Sequence, residues 1–212
     1  MKTKRLLSLV FCFIAIVVMA ACGNASNNGN EGVGESPGAT DQASGDGAIY
    51  VEIDVKDYGV IVVKLDPTQA PKTVENFVNL VNSGFYDGLT FHRIMAGFMI
   101  QGGDPLGNGT GGSDTQITGE FSENGIENNI SHVRGVISMA RANDFNSASS
   151  QFFIVHQDAT GLDGKYAGFG YVVEGMDVVD RIATEAQPVD RNGTIPANEQ
   201  PIITSMKVIN YE

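Results

Sequence analysis

Residues 91–104, FHRIMAGFMIQGGD, set one permanent cation, Arg93, among two phenylalanines, two isoleucines and two methionines, with Gln101 and a glycine pair behind it. A guanidinium stays protonated and presents its N–H donors in one rigid fork, so it can follow a polarised atom without exchanging a proton. The common alternatives are not supplied. Both cysteines, Cys12 and Cys22, fall near the N-terminus, which leaves the rest of the chain without a thiolate nucleophile, a disulfide or a Cys-based metal site. His92, His132 and His156 lack the i, i+4 spacing and companion carboxylates of a zinc protease. They read as hydrogen-bonding or surface histidines, and neither metal nor cofactor is expected. No GxSxG elbow is present. GNGTGG at 107–112 lacks the lysine and the following helix that a phosphate-binding loop needs.

The elements that must position Arg93 are mostly strands. IYVEIDV (49–55) and GVIVVKLD (59–66) are β-branched and alternating, and the DYG between them supplies a turn, so they read as a hairpin. APKTVENFVNLVNSG (70–84) changes period, with Pro71 early, Val74, Phe77, Val78 and Val81 at helical spacing and Gly84 as a stop. Short β-like runs follow at FHRIMAGFMIQ, at 135–140, 150–156, 169–175 and 201–210. A second helical pattern covers 176–187, with Val178, Val179, Ile182 and Ala186 on one face. Many short strands and two helices predict an antiparallel barrel or sandwich with the helices packed at its ends. Residues 102–114 and 188–201 read as long loops.

The N-terminus is an address. Lys2, Lys4 and Arg5 precede the apolar run Leu6–Ala21, the pattern of an export signal, and MAAC at 19–22 resembles a bacterial lipobox in which Cys22 is lipidated and becomes the first mature residue. Met19 stands where such boxes more often have leucine. Residues 22–47, rich in Gly, Asn, Ser and acids with Val33 as the one large apolar residue, read as a flexible tether of roughly 25–30 Å mean span. The expected organisation is therefore a signal at 1–21, a lipidated cysteine and tether at 22–47, and one domain at 48–212, lipid-anchored on the extracytoplasmic side of the cell membrane. With the signal go three of the thirteen bases, leaving ten against 25 acids, a net charge near −15. That balance argues against a nucleic-acid partner and a polybasic contact with anionic lipid.

Four segments, FHRIMAGFMIQGGD, GNGTGG, GVISMARANDFNSASSQFFIVH and LDGKYAGFG, occur in an order and at spacings that resemble the cyclophilins, the peptidyl-prolyl cis/trans isomerase family. The resemblance runs through essentially all of 48–212. It implies a mainly β fold, a closed eight-stranded antiparallel barrel capped by two α-helices. By resemblance Arg93 matches the catalytic arginine, and Phe98, Met99, Phe153 and Leu162 match the proline socket. Gln101 matches the glutamine that contacts substrate and orients the arginine. Ala140, with Arg141 beside it, falls where the family's Ala-Asn pair bonds the substrate backbone, Gln151 lines the same groove, and Gly111 borders the pocket for residues preceding proline. Arg141 departs from the usual asparagine, and the ANDFNSASS loop is one residue longer than the commonest version. Tyr166 stands where many members have histidine, which keeps an aromatic wall. Gly161 stands in place of a tryptophan that in many eukaryotic members helps bind cyclosporin, so cyclosporin binding is expected to be weak.

The resemblance implies an enzyme that accelerates X-Pro isomerisation, with proline-containing polypeptides as partners and assistance to the folding of exported proteins at the outer face of the membrane as its task. A non-catalytic module that merely holds proline-containing loops is the alternative, and retention of Arg93, Phe98, Gln101 and Phe153 speaks against it. A solute-binding lipoprotein would need more chain than the roughly 165 residues available to one domain.

Overall fold

The computed structural model describes residues 48–211. The signal, Cys22 and the tether lie outside the described residues. β1 (Ile49–Val55) and β2 (Gly59–Leu65) form the expected hairpin, paired from Ile49 opposite Leu65 to Val55 opposite Gly59. Alternation buries Val51, Ile53 and Val55 on the inner face of β1. The run read as FHRIMAGFMIQ is two strands, β3 (Phe91–Met95) and β4 (Met99–Gly102), folded back on each other at Gly97. Gly97 has φ +81°, a left-handed conformation that costs a glycine little, and the local apolar pattern carries no mark of that reversal. The remaining strands are β5 (Val136–Met139), β6 (Phe152–Val155), β7 (Gly168–Glu174) and β8 (Ile203–Ile209).

The eight strands form one antiparallel sheet in the order β3-β4-β6-β5-β7-β2-β1-β8, curled into a half-barrel. Closure into a full barrel is not made by a ladder. The edges β3 and β8 approach through a single bridge, Thr90 opposite Ile202, with Phe91 N–H donating to Pro201 O at 3.0 Å and Ile203 N–H to Leu89 O at 2.8 Å. The concave side holds the main core. Phe77 lies at its centre, its ring 5.2 Å from Tyr86, 5.6 Å from Phe152 and 5.0 Å from Phe169.

The two helices supply the remainder of that core. α1 (Pro71–Asn82) buries Thr73, Val74, Phe77 and Val81, and α2 (Met176–Glu185) buries Val178, Val179, Ile182 and Ala183. Ala70 at the start of α1 has no side-chain oxygen to offer the free N–H groups of the first turn. Glu120, distant in sequence and itself buried, takes that part: its carboxylate accepts from Lys72 N–H at 3.0 Å, Thr73 N–H at 2.8 Å and Thr73 Oγ1 at 2.7 Å. Gly175, which opens α2, lies so close to β2 that a Cβ there would strike the Val60 carbonyl.

A second buried polar group fastens the loops that flank β5. His132, fully buried, donates from Nδ1 to Asp163 Oδ1 at 3.0 Å, and its Nε2 lies 2.9 Å from Ser138 Oγ, which fits acceptance of the hydroxyl proton. Asp163 also accepts the His132 main-chain N–H at 2.7 Å and the Ser131 hydroxyl at 2.7 Å. Burial pushes His132 below the ordinary imidazole value, against the upward pull of the Asp163 carboxylate.

Glu120→Ala leaves two main-chain N–H groups at a buried helix start without an acceptor, and we expect it to cost about 2–3 kcal/mol in urea unfolding; an unchanged midpoint would mean that water replaces the carboxylate. His92, like His132, is held below its usual value by burial. An unfolded chain therefore binds protons at both sites that the folded chain resists. Their contribution to stability is complete above about pH 6.5 and is lost as pH falls through the lowered folded values. The urea midpoint should drop between about pH 7 and pH 5, and drop less in His92→Phe; an equal drop in both proteins would contradict this assignment.

Candidate active site

A strictly alternating β3 would put Phe91 and Arg93 on the same face. The pairing with β4 shifts register between them: Phe91 lies opposite Gly102 and Arg93 opposite Gln101, so two steps on β3 match one on β4. This bulge at His92 turns the strand. Phe91 and Ile94 both enter the main core, while Arg93 and Met95 face outward.

On the outer face, pairing partners form a row across four strands. Arg93 is opposite Gln101, Gln101 opposite Phe153, and Phe153 opposite Ser138. The same alternation sends Phe152 and Ile154 of β6 inward to the main core and Phe153 and Val155 outward. A separate apolar cluster results, built on Met99, Ile130, Val136, Phe153 and Val155, with Phe98, Ala140, Leu162 and Tyr166 packed against it. The socket is thus a second, smaller core on the convex side of the sheet, open to solvent.

Arg93 is fixed from three directions. Its Nε donates to the Asn192 carbonyl at 2.7 Å, Nη1 to Gln101 Oε1 at 3.0 Å, and Nη2 contacts Met95 Sδ at 3.3 Å. Gln101 Nε2 donates in turn to Gln151 Oε1 at 2.9 Å, and Gln151 Nε2 to the Gly111 carbonyl at 2.7 Å. Each amide is oriented by its neighbour, so the arginine is tied through two glutamines to the glycine loop. Burial lowers Arg93 from the usual guanidinium value, opposed by Tyr166 and Asp190; the group still carries its charge.

The expected site residues meet along one groove with two compartments. The first is lined by Arg93, Phe98, Met99, Gln101, Ala140, Arg141, Phe153, Leu162 and Tyr166. Gly111 and Gln151 line the second, which shares Gln101, Gly109, Ala140 and Arg141 with the first. Tyr166 meets Phe153 edge-on at 5.9 Å, and the ring of His132 stacks behind Phe153 at 6.0 Å. Leu162 sits in a 3-10 turn, Thr160–Leu162, that Asp163 ties to His132.

Several supporting residues escaped sequence reasoning. Asn192, from the loop read as 188–201, offers only its main-chain carbonyl, which no side-chain pattern could announce. Asp104 organises the glycine loop, accepting N–H groups of Leu106 at 2.8 Å, Asn108 at 3.1 Å and Gly109 at 2.6 Å. Burial alone would raise its carboxyl, and these N–H groups more than offset that, leaving it lowered. Its position at the head of a glycine-rich stretch was the available signal. His156 accepts the Gly97 N–H at Nδ1 over 2.9 Å, which places its ring proton on Nε2, 3.2 Å from Asp180 Oδ1. It thereby holds the turn before Phe98. His92 departs from the expectation of a hydrogen-bonded or surface histidine: it is buried with neither ring nitrogen bonded.

Chemically, this groove offers a fixed cation beside an apolar socket and main-chain groups along its rim. Ala140 N–H is occupied by Gln151 O at 2.9 Å. Among the groups lining the first compartment there is no thiol, serine or carboxylate, so the arrangement suits binding and polarisation of an amide more than attack upon it.

Comparison with known proteins agrees with this geometry. The family described as cyclophilin type peptidyl-prolyl cis-trans isomerase/CLD matches residues 50–208. Peptidyl-prolyl cis-trans isomerase-like 3 of Gallus gallus is 43% identical over 144 residues, covering 68% of this chain and 86% of its own. Peptidyl-prolyl cis-trans isomerase A of Dickeya dadantii is 41% identical over 157 residues, covering 71% and 80%. A crystal structure of a Cryptosporidium parvum cyclophilin type isomerase superimposes with a TM-score of 0.66 at 29% identity, covering 78% of this chain and 99% of that one. A second structure of that protein, in the presence of the dipeptide Ala-Pro, gives 0.64 at 30% identity, covering 77% and 99%. The chain therefore belongs to the cyclophilin-type peptidyl-prolyl cis-trans isomerases, enzymes of the EC 5.2.1.8 class.

Proposed function

We propose that Arg93 is the catalytic group of this isomerase and that the enzyme works on exported proteins from a lipid anchor at the outer face of the membrane. The supporting observation is the guanidinium held at the edge of the apolar socket by Asn192, Gln101 and Met95. Rotation about an X-Pro bond crosses a barrier of about 18–20 kcal/mol because resonance holds the amide planar. Binding the twisted amide more tightly than the planar one suffices, at about tenfold in rate per 1.36 kcal/mol of difference.

Phe98, Met99, Phe153 and Leu162 clamp the prolyl ring, with Tyr166 as a wall. As the bond twists, resonance is lost, the prolyl nitrogen becomes pyramidal and the carbonyl oxygen swings. Arg93, already oriented, donates to the atom whose charge grows. Its fork has two further N–H bonds beyond those given to Asn192, Gln101 and Met95. No reorganisation is needed at the moment of rotation, and the apolar surround keeps water from screening the charge. Gln101 positions the arginine and touches substrate; Ala140, Arg141, Gln151 and Gly111 receive the residues before proline. Proline-containing polypeptides, including segments emerging from export whose slow prolyl steps limit folding, are the partners this reading assigns. The dipeptide Ala-Pro, in whose presence the second Cryptosporidium parvum structure was determined, is a proline-containing peptide of the same kind.

Cyclosporin binding is expected to be weak. Gly161 leaves open space where a larger side chain would stand, with nothing within 4 Å of an added Cβ.

Arg93→Ala should lower the catalysed rate about 10²–10³-fold in a proline-limited refolding assay while the fold survives. A rate equal to wild type would remove Arg93 from the mechanism, and nanomolar inhibition by cyclosporin in the same assay would refute the weak-binding reading. Cys22→Ser should release the protein into the soluble fraction; persistent membrane retention would refute the lipid anchor.

A further inference from the structure

Arg141 stands where the two compartments of the groove meet and lines both. Its Nε and Nη2 donate to the Lys165 carbonyl at 3.1 and 2.9 Å, and Nη1 donates to the Ala142 carbonyl at 2.9 Å. The guanidinium carbon lies 5.1 Å from the ring centre of Phe121, 4.8 Å from that of Phe145 and 4.8 Å from that of Tyr166. Three aromatic faces and two carbonyls thus fix its plane. None of them neutralises it.

Arg141 takes part in none of the ion pairs His132–Asp163, Arg134–Asp180, His156–Asp180 and Arg181–Glu185. Of the five N–H bonds of a guanidinium, two remain unspent.

The surroundings sharpen the contrast. The chain carries 25 acids against 13 lysines and arginines, yet no Asp or Glu lines either compartment. Their charged lining consists of Arg93 and Arg141, and the second compartment is otherwise Gln, Ser, Thr, Gly and Ala. The charge belongs to the site, since the acidic surface does not continue into it. A pre-oriented, unneutralised guanidinium with free donors fits a carboxylate, and arginine–carboxylate hydrogen bonds are among the stronger polar contacts available.

We propose that Arg141 is a specificity-determining residue that selects substrates with a carboxylate side chain in the two residues preceding the prolyl bond. This rests on the reading of the first compartment as the proline socket. On that reading, a chain running from the socket toward Gly111 and Gln151 has to pass Ala140 and Arg141, which line both compartments. A purely structural Arg141, pinning its loop to Lys165, would stabilise the groove without distinguishing substrate charge.

The test compares isomerisation of matched proline peptides, measured by NMR exchange, with Glu, Gln or Lys placed one or two residues before proline. Wild type should favour Glu over Gln by about three- to tenfold in kcat/KM at one of the two positions and disfavour Lys, with the preference shrinking as salt is added. The Glu/Gln ratio, taken within each protein, should fall to about one in Arg141→Gln and persist in reduced form in Arg141→Lys, which keeps the charge and loses the fork. A ratio of about one at both positions in wild type overturns the proposal, as does a preference that survives in Arg141→Gln. Should Arg141→Gln fold poorly, the wild-type ratio and its salt dependence still decide. Failure of wild type to accelerate any of the peptides would overturn the isomerase reading beneath it, a distinct result.

Discussion

The hydrogen bond from Arg93 Nη1 to Gln101 Oε1, 3.0 Å long, joins the cation to the strand that carries the apolar socket. Arg93 and Gln101 are direct partners across β3 and β4, so the distance is set by sheet geometry and not by loop conformation. The bulge at His92 makes this compatible with a packed interior, because Phe91 and Ile94 can both point inward while Arg93 points out. From Gln101 the chain of amides through Gln151 reaches the Gly111 carbonyl, which couples the arginine to the neighbouring compartment. A site built on strands in this way holds its donors in place before substrate arrives.

The sheet serves two apolar populations at once. Its concave side buries Phe77, Phe152 and Phe169 in a closed core, the larger of the two apolar clusters. Its convex side presents Met99, Phe153 and Val155 in a smaller cluster that remains partly open. Period-two alternation along β4 and β6 produces both, so Phe152 stabilises the molecule while Phe153, the next residue, lines the groove. The supporting shell is polar and buried: His132 behind Phe153, His156 holding Gly97 before Phe98, and Asp104 gathering the glycine loop.

Elements governed by local periodicity were legible in the amino-acid sequence. β1, β2, α1 and α2 fall within a residue or two of the expected bounds, because alternation, the early Pro71 and the apolar face of each helix act over a few residues. The turn at Gly97 was not legible, since apolar residues flank it on both sides and its stabilising partner, His156, is 59 residues away. Closure of the sheet was likewise beyond local pattern: the edges meet by one bridge, a matter of how far eight strands curl. His92 was assigned the ordinary fate of a histidine and is instead a buried ring without a bonded nitrogen.

For the groove itself, residue types and order were enough to gather Arg93, Phe98, Met99, Gln101, Phe153 and Leu162 as candidates, through their resemblance to a family. Sequence determined which side chains were available: one cation in an apolar run, amides, aromatics, and no thiol beyond the first 22 residues. Tertiary structure decided what each could do. Arg93 owes its orientation to a main-chain carbonyl at Asn192, 99 residues distant, and α1 owes its first turn to Glu120, 47 residues beyond Thr73. Arg141 owes its fixed orientation to three rings and two carbonyls drawn from separate segments. Orientation, burial and the absence of a counter-charge are properties of neighbours in space, and a linear order of residues specifies them only once the sheet has brought distant segments together.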